Sequence, residues 1–335
     1  MSAFKRSPDQ INKIYESDAE ILDFGLDKNI VITSDALCEE LEWKLISDPF
    51  VIGWINVVSS LSDLAAVDAT PFGILIGLSK SKEHDAEFCS RFWQGTKEAL
   101  LAHSTFLLGG DTNDSQTFLV SCTAIGQRPK TTTLSRKGIQ QGDVIYLTGP
   151  VGMGTATGFA NFVVKNHSPK LASDIEMAFK PKARFKEASI IGRFASSCID
   201  TSDGLLAALD FLCDINGFQC SLSLAKKHYH PICHQLTSQL NVPLILFSSI
   251  HLGEFELVFT VPKKNQEHFE SEMNQNQLPF FEIGRMDNSL ESLNINGVTV
   301  ELKPIRNLLN DIKNPAYYLK EQQVWSESFR NLITS

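Results

Sequence analysis

The chain has 335 residues, 43% of them hydrophobic and 21% charged, an ordinary globular composition with length for about two domains. Lys plus Arg number 30 against 39 Asp plus Glu, a formal net charge of -9. That balance excludes a broad nucleic-acid surface or a basic membrane footprint, but not a phosphorylated small molecule joined to acidic protein by a divalent cation.

The first 20 residues carry no apolar segment behind their basic residues, so no secretory leader is expected. Apolar runs such as 242–247 fall far short of a membrane span. The 7 cysteines are irregularly spaced with no C-x-x-C. Free, mostly buried thiols in the cytoplasm are expected rather than a disulfide framework or a zinc ribbon.

In chain order, residues 21–36 read as strand, turn, strand. Asp48 before Pro49 reads as an N-cap with Pro at N1, opening a helix over 49–67 with Ile52, Ile55, Val58 and Leu61 at near-helical spacing. FGILIGLS is a strand, 84–102 a helix, and TFLLGGD and TFLVSCTAIG two strands around a polar turn. The basic stretch 127–138 reads as a domain boundary and a solvated connector. QGDVIYLTG is a turn and strand, followed by a glycine-rich loop running into a helix. A helical or near-helical stretch over 184–197 precedes a short strand, a tight turn and a helix closed by Gly217. Residues 218–241 read as irregular and histidine-rich, HLGEFELVFTVP as turn and strand, and 281–306 as short strands around DNS and NG turns.

The aspartates sit at the ends of these elements. Asp35 ends a strand, Asp63 lies in an apolar helix, Asp111 follows TFLLGG, and Asp200 and Asp203 flank a tight turn. Asp18 stands just upstream of the first strand. A carboxylate in an apolar element is costly unless paired, hydrogen-bonded or metal-bound. Taken singly, each could cap a helix or bind a turn, Asp203 most plainly. Taken together, Asp63, Asp111 and Asp200 point to a shared acidic site for Mg²⁺. Glycines 149, 152, 154 and 158 lead into a helix whose N–H groups suit a phosphate, though the spacing matches neither a P-loop nor a Rossmann fingerprint, and a flexible joint fits as well. His228, His230, Cys233 and His234 read as a water-facing loop, with a soft-metal site as the alternative. Met153 and Trp43 read as packing or rim residues, and neither suggests a cofactor.

The strings SSLSDLAAVDATP (59–71), LLGGDT (107–112), GDVIYLTG (142–149), IDTSDGLLAALDFLC (199–213) and FELVFTVP (255–262) resemble the thiamine-monophosphate kinase family and, more broadly, the aminoimidazole-ribonucleotide synthetase superfamily. KPKARF (180–185) is similar to the family's Pro-x-x-Arg segment. The resemblance implies an α+β fold of two domains, an N-terminal ATP/Mg-binding and dimerisation domain over 1–135 and a C-terminal α+β domain over 136–335. The first domain's sheet would close a barrel across a homodimer. It further implies Mg²⁺ at Asp18, Asp35, Asp63, Asp111, Asp200 and Asp203. Phosphoryl transfer would fall to Asp111, Asp200, Ser202 and Asp203. Nucleotide contacts would come from Ser60, Gly110, Asp111, Thr112, Gly149, Gly152 and Arg184.

The chain departs from the family at several places. Gly-Asp-Asp-Ala reads Glu16-Ser17-Asp18-Ala19, the family's His-Phe pair reads Glu42-Trp43, and Asn-Leu-Ser-Asp reads Ser60-Leu61-Ser62-Asp63. The glycine-rich substrate segment reads His251-Leu252-Gly253-Glu254-Phe255-Glu256-Leu257. Metal-facing positions are mostly kept while nucleotide-wrapping and acceptor-facing positions change. The expected function is therefore a Mg²⁺- and ATP-dependent phosphotransferase with a divergent small-molecule acceptor. The alternatives are a catalytically reduced nucleotide-binding structural or sensing dimer and an ATP-dependent synthetase of the same superfamily. No nucleic acid or membrane partner is expected.

Overall fold

The computed structural model describes residues 5–248, 252–302 and 315–333. The first half builds a five-stranded sheet from β1 (Glu20–Leu22), β2 (Lys28–Leu37), β3 (Thr70–Lys80), β4 (Leu107–Asp114) and β5 (Leu119–Pro129), in the order β1-β2-β5-β3-β4. β5 runs antiparallel to both β2 and β3, while β4 lies parallel to β3. The polar turn after β4 therefore joins two strands that are not neighbours. Within one chain this sheet ends on β1 and β4, and it does not close on itself among the described residues.

A short α1 (Glu39–Glu42) leads to the long helices α2 (Pro49–Ala66) and α3 (Ala86–Ala102). Asp48 caps α2 as its sequence predicts, accepting from Phe50 N at 2.9 Å and Val51 N at 3.4 Å, with Pro49 in the first turn. α2 packs against the first sheet, against α3 and against the strand Ser197–Asp200 of the second half, so it is buried nearly end to end. The two helices touch backbone to backbone. A Cβ on Gly53 would lie 2.1 Å from Phe92 O, and one on Gly95 would lie 1.9 Å from Phe50 O. α2 also corrects the expectation that no stretch reaches the length of a membrane span. Its 18 residues have a mean hydropathy of 1.3, enough by length and composition, and 89% of them lie inside the fold. A helix that is apolar over most of its length suits the centre of a large core as well as a bilayer.

The second half holds a seven-stranded sheet of β6 (Val144–Leu147), β7 (Ser197–Asp200), β8 (Gln219–Leu222), β9 (Leu257–Val261), β10 (Phe281–Asp287), β11 (Asn294–Ile295) and β12 (Val298–Thr299). Their order is β12-β11-β8-β10-β6-β9-β7. β6, β7 and β9 are buried at every position, which is why VIYL and LVFTV are unbroken apolar runs. Around them lie α4 (Met153–Phe162), α5 (Pro169–Ala178), α6 (Phe185–Phe194), α7 (Leu205–Asn216), α8 (Pro231–Leu240), α9 (Gln266–Gln275) and a C-terminal helix, Pro315–Glu327. Gly217 ends α7 in the left-handed conformation, φ 71°, as expected of a C-cap.

The stretch 218–241 is more regular than its sequence suggests. It contains β8 and α8, the latter started by Pro231 and by His230 Nδ1 accepting from Ile232 N at 3.4 Å. A histidine in the N-cap position and no aspartate or serine hid that start. Residues 303–306, expected to continue the C-terminal strands, lie outside the described residues. The two halves are stitched by Glu176 of α5, whose carboxylate accepts from Ser47 N, from Asp48 N at 2.7 Å and from Asn161 Nδ2 at 3.1 Å.

Candidate active site

Three aspartates reach one point from three distant stretches. Asp18 comes from the arm before β1, Asp63 from the last turn of α2 and Asp200 from the end of β7. A carboxylate oxygen of each lies within 4.8 Å of the others. Hydroxyls aim them: Thr33 Oγ1 of β2 donates to Asp63 Oδ2 at 2.5 Å. Ser62 donates to Asp200 Oδ2 at 2.6 Å, and Ser202 to Asp200 Oδ1 at 2.9 Å. Arg136 Nη2 donates to Asp18 Oδ1 at 2.7 Å. Asp35 joins the edge of the group through Ser60 and Asp63. Asp203 is exposed on the turn after Asp200, and its charge is felt by Asp35.

Burial holds the carboxyls of Asp18, Asp35, Asp63 and Asp200 above their ordinary range. At Asp63 the charges of Asp35, Asp200 and Asp18 push in the same direction. At Asp18 the Arg136 guanidinium works against burial. Asp18 Oδ2 is buried with no hydrogen-bond partner. A self-repelling group of hard oxygens with one oxygen unused is the donor set a divalent cation such as Mg²⁺ accepts. The residues present fit the metal.

Asp111 does not join this cluster within the chain. It is exposed on β4, where it accepts from its own neighbours Thr112 N at 3.0 Å and Asn113 Nδ2 at 2.7 Å. Asp35 faces Cys122, Cys122 faces Ile76 and Ile76 faces Gly110 across the sheet. Asp111 is thus about 14 Å away, three strand spacings. Gly110 and Thr112 are exposed beside it. Ser60 is fully buried and donates to Cys122 O at 2.8 Å.

The glycine loop and Arg184 lie in a network of internal carboxylates rather than in an open cradle. Gly152 N and Gly154 N, at the start of α4, donate to Glu254 Oε1 at 2.6 and 3.3 Å. A Cβ on Gly149 would meet the Glu256 carboxylate. Arg184 forks onto Glu256, with Nε 2.7 Å from Oε2 and Nη2 on Oε1, and Thr148 Oγ1 donates to Glu256 Oε2 at 2.6 Å. Burial pushes the Glu254 carboxyl up to about 8.

This network leans on the aspartate turn. Gly253 N donates to Ser202 O at 2.7 Å, and Thr201 N to Glu256 O at 2.8 Å. A Cβ on Gly253 would fall 1.6 Å from Thr201 O, so only glycine brings the 252–256 segment this close. Of the other departures, Ser17 is buried with its Oγ unpartnered, and Glu42 is exposed on α1. His251 lies outside the described residues.

The histidine-rich stretch is not a water-facing loop. His228 is 1% exposed, its Nδ1 accepting from Ala225 N at 3.1 Å, and Cys233 is buried. Among the described residues, the aspartates are the one group with ligand atoms close enough to share a metal. Trp43 and Met153 are buried, as expected of packing residues. Sequence reasoning missed Arg136 and Glu254. Nothing distinguishes Arg136 from the surface cations around it in SRKG. For Glu254 there was a signal, since GEFEL sets two carboxylates against an otherwise apolar strand.

Residues 16–127 match the AIR synthase related protein N-terminal domain, and residues 140–293 match the C-terminal domain of the same family. The chain belongs to the AIR synthase related family. Its relatives include the thiamine-monophosphate kinase of Buchnera aphidicola, 28% identical over 78% of this chain and 81% of the relative. That of Escherichia coli is 27% identical over 82% and 84%. In three dimensions the chain resembles AaThiL complexed with AMPPCP and TMP, with a TM-score of 0.74 at 22% identity over 87% of this chain and 90% of that one. It also resembles the hydrogenase maturation protein HypE of E. coli, TM-score 0.67 at 16% identity over 87% and 88%. These likenesses establish the two-domain α+β fold of the family.

Proposed function

We propose that this AIR synthase related protein is a Mg²⁺-dependent ATP phosphotransferase whose acceptor differs from thiamine monophosphate. The carrying observation is the buried Asp18–Asp63–Asp200 group with its unused oxygen. In this reading Asp18, Asp35, Asp63, Asp200 and Asp203 hold the metal. Bound there, Mg²⁺ would neutralise phosphate charge as it develops. Thr33, Ser62 and Ser202 fix the carboxylates in place before substrate arrives, so little reorganisation remains at the moment of transfer. Ser202 and Asp203, on the turn beside Asp200, face the transferred group. Asp111, with Gly110 and Thr112, offers an exposed carboxylate and backbone on β4 for nucleotide. Gly149, Gly152 and Arg184 act one step removed, holding the 252–256 segment against the aspartate turn. The domain division at about residue 135 follows the connector.

The kinase relatives support ATP as donor, and the altered acceptor-facing positions support a different acceptor. The unpaired edge β4 and the exposed Phe72, Phe106, Leu107 and Leu108 support a homodimer in which the first sheets pair into a barrel. The free cysteines fit a cytoplasmic setting. The test is ADP release at fixed Mg-ATP against thiamine monophosphate, riboside monophosphates and unphosphorylated alcohols. Turnover with a non-thiamine acceptor is expected. Formation of thiamine diphosphate at about 10⁴ M⁻¹s⁻¹ or above would restore the plain kinase function instead.

A second reading has its own observation. Ser17 stands where the family carries an aspartate, and its buried hydroxyl has no partner. Nucleotide binding without turnover on any acceptor would establish the sensing or structural dimer.

A further inference from the structure

The connector 127–138 reads as a solvated basic stretch, but its arginines turn inward. Arg128 is 5% exposed and donates to Leu134 O at 2.9 Å. Arg136 goes further and enters the aspartate cluster. Its side chain is 19% exposed, and that of its partner Asp18 is 0% exposed. The backbone of Arg136 is fixed on both sides: its N–H donates to Glu16 O at 2.8 Å, and its carbonyl accepts from Asn216 Nδ2 at 2.9 Å. The guanidinium lies 5.1 Å from the Phe211 ring centroid. The fold therefore delivers this cation to the site, rather than a flexible chain finding it.

The pair is incompletely satisfied. Arg136 Nε and Asp18 Oδ2 are both buried without a hydrogen-bond partner. An arginine stays charged, and a buried ion pair with unmade bonds is held at a cost. Arg136 attracts Asp18, Asp200 and Asp63 together. One positive charge thus stands where several negative charges converge, and its contact is with an oxygen of the same carboxylate that a metal would use.

We propose that Arg136 is a resident counter-ion of the cluster, displaced from Asp18 when a divalent cation enters, so that it sets the metal concentration the site requires. The inference rests on the metal reading above and adds the competitor. A single charge leaves Asp18 as a double charge arrives, so the exchange also relieves repulsion among the remaining carboxylates. Because Arg136 is anchored between the N-terminal arm and α7, its release ties metal entry to the joint between the domains.

The experiment is calorimetric titration of the full-length protein with MnCl₂ near neutral pH without nucleotide, comparing wild type, Arg136→Met and Arg136→Lys. Removing the competing charge is expected to tighten Mn²⁺ binding about tenfold or more in Arg136→Met, with Arg136→Lys between the two. On the wild type, the Arg136 Nε–H resonance, assigned by its loss in either variant, is expected to shift as MgCl₂ saturates the site. That measurement decides the matter even if Arg136→Met fails to fold. Mn²⁺ binding that is unchanged or weaker in a folded Arg136→Met, or an Nε–H resonance indifferent to Mg²⁺, would overturn the counter-ion while leaving the metal site standing. Absence of metal binding in every form would overturn both.

Discussion

The hydroxyl of Ser62 donates to Asp200 Oδ2 at 2.6 Å, joining the end of α2 to the end of β7 with both side chains buried. This bond crosses from one domain to the other inside the candidate site. Ser62→Ala leaves a buried carboxylate oxygen without its donor, at a cost of about 1–3 kcal/mol. Urea denaturation should show that loss with an unchanged m-value, and Mg²⁺ affinity should weaken because Asp200 is no longer held in place. A variant as stable as wild type would show that water replaces the serine.

Asp63 tests the self-repulsion of the cluster. Burial and three neighbouring carboxylates hold its pKa well above the ordinary value, so the folded protein binds a proton that the unfolded chain releases. Stability from this group is present at low pH and is lost as pH rises from 3.8 toward the folded value. Asp63→Asn should flatten that decline in EDTA and abolish most of the Mg²⁺-induced rise in Tm. Melts across the pH range, with and without Mg²⁺, check both effects. An unchanged slope would remove Asp63 from the group.

Glu254 offers a pH signature away from the proposed metal. Its carboxyl, raised mainly by burial and further by the Glu256 charge, is pushed from 4.5 up to about 8. The sign is that of Asp63: protonated when folded, ionised when unfolded, and costing stability as pH climbs from about 4.5 to about 8. Glu254→Gln keeps an oxygen for Gly152 N and Gly154 N without the charge. It should be more stable than wild type by about 1 kcal/mol or more at the upper end of that window and nearly equal at its lower end. Chemical denaturation at the two ends of the window measures the difference, and equal gains at both would rule out titration of Glu254 as the cause.

The proposed dimer depends on apolar side chains at an unpaired edge. Phe106, just before β4, and Leu108, within it, are 69% and 53% exposed. Sedimentation of the wild type should give about twice the chain mass at micromolar concentration. Phe106→Ser with Leu108→Ser should shift it to a single mass with the circular dichroism unchanged. A wild type that sediments as a monomer would refute the barrel across protomers.

The local elements were legible because their signals are local. Asp48 followed by Pro49, the near-helical spacing after them, and Gly217 at the end of α7 each act within a few residues. The cost of burying a carboxylate likewise marked Asp18, Asp63 and Asp200 as residues needing partners. Which partners they find was decided only by the tertiary structure. Ser62 meets Asp200 across 138 positions, and Arg136 meets Asp18 across 118. Asp111, in a motif of the same appearance, is kept apart because β5 and β3 lie between β2 and β4. The glycines before α4 could equally serve a ligand or the protein itself, and the chain's own Glu254 takes their N–H groups. Capping and periodicity are written residue by residue, whereas the meeting of charges depends on strand order and domain packing, which no short stretch of sequence contains.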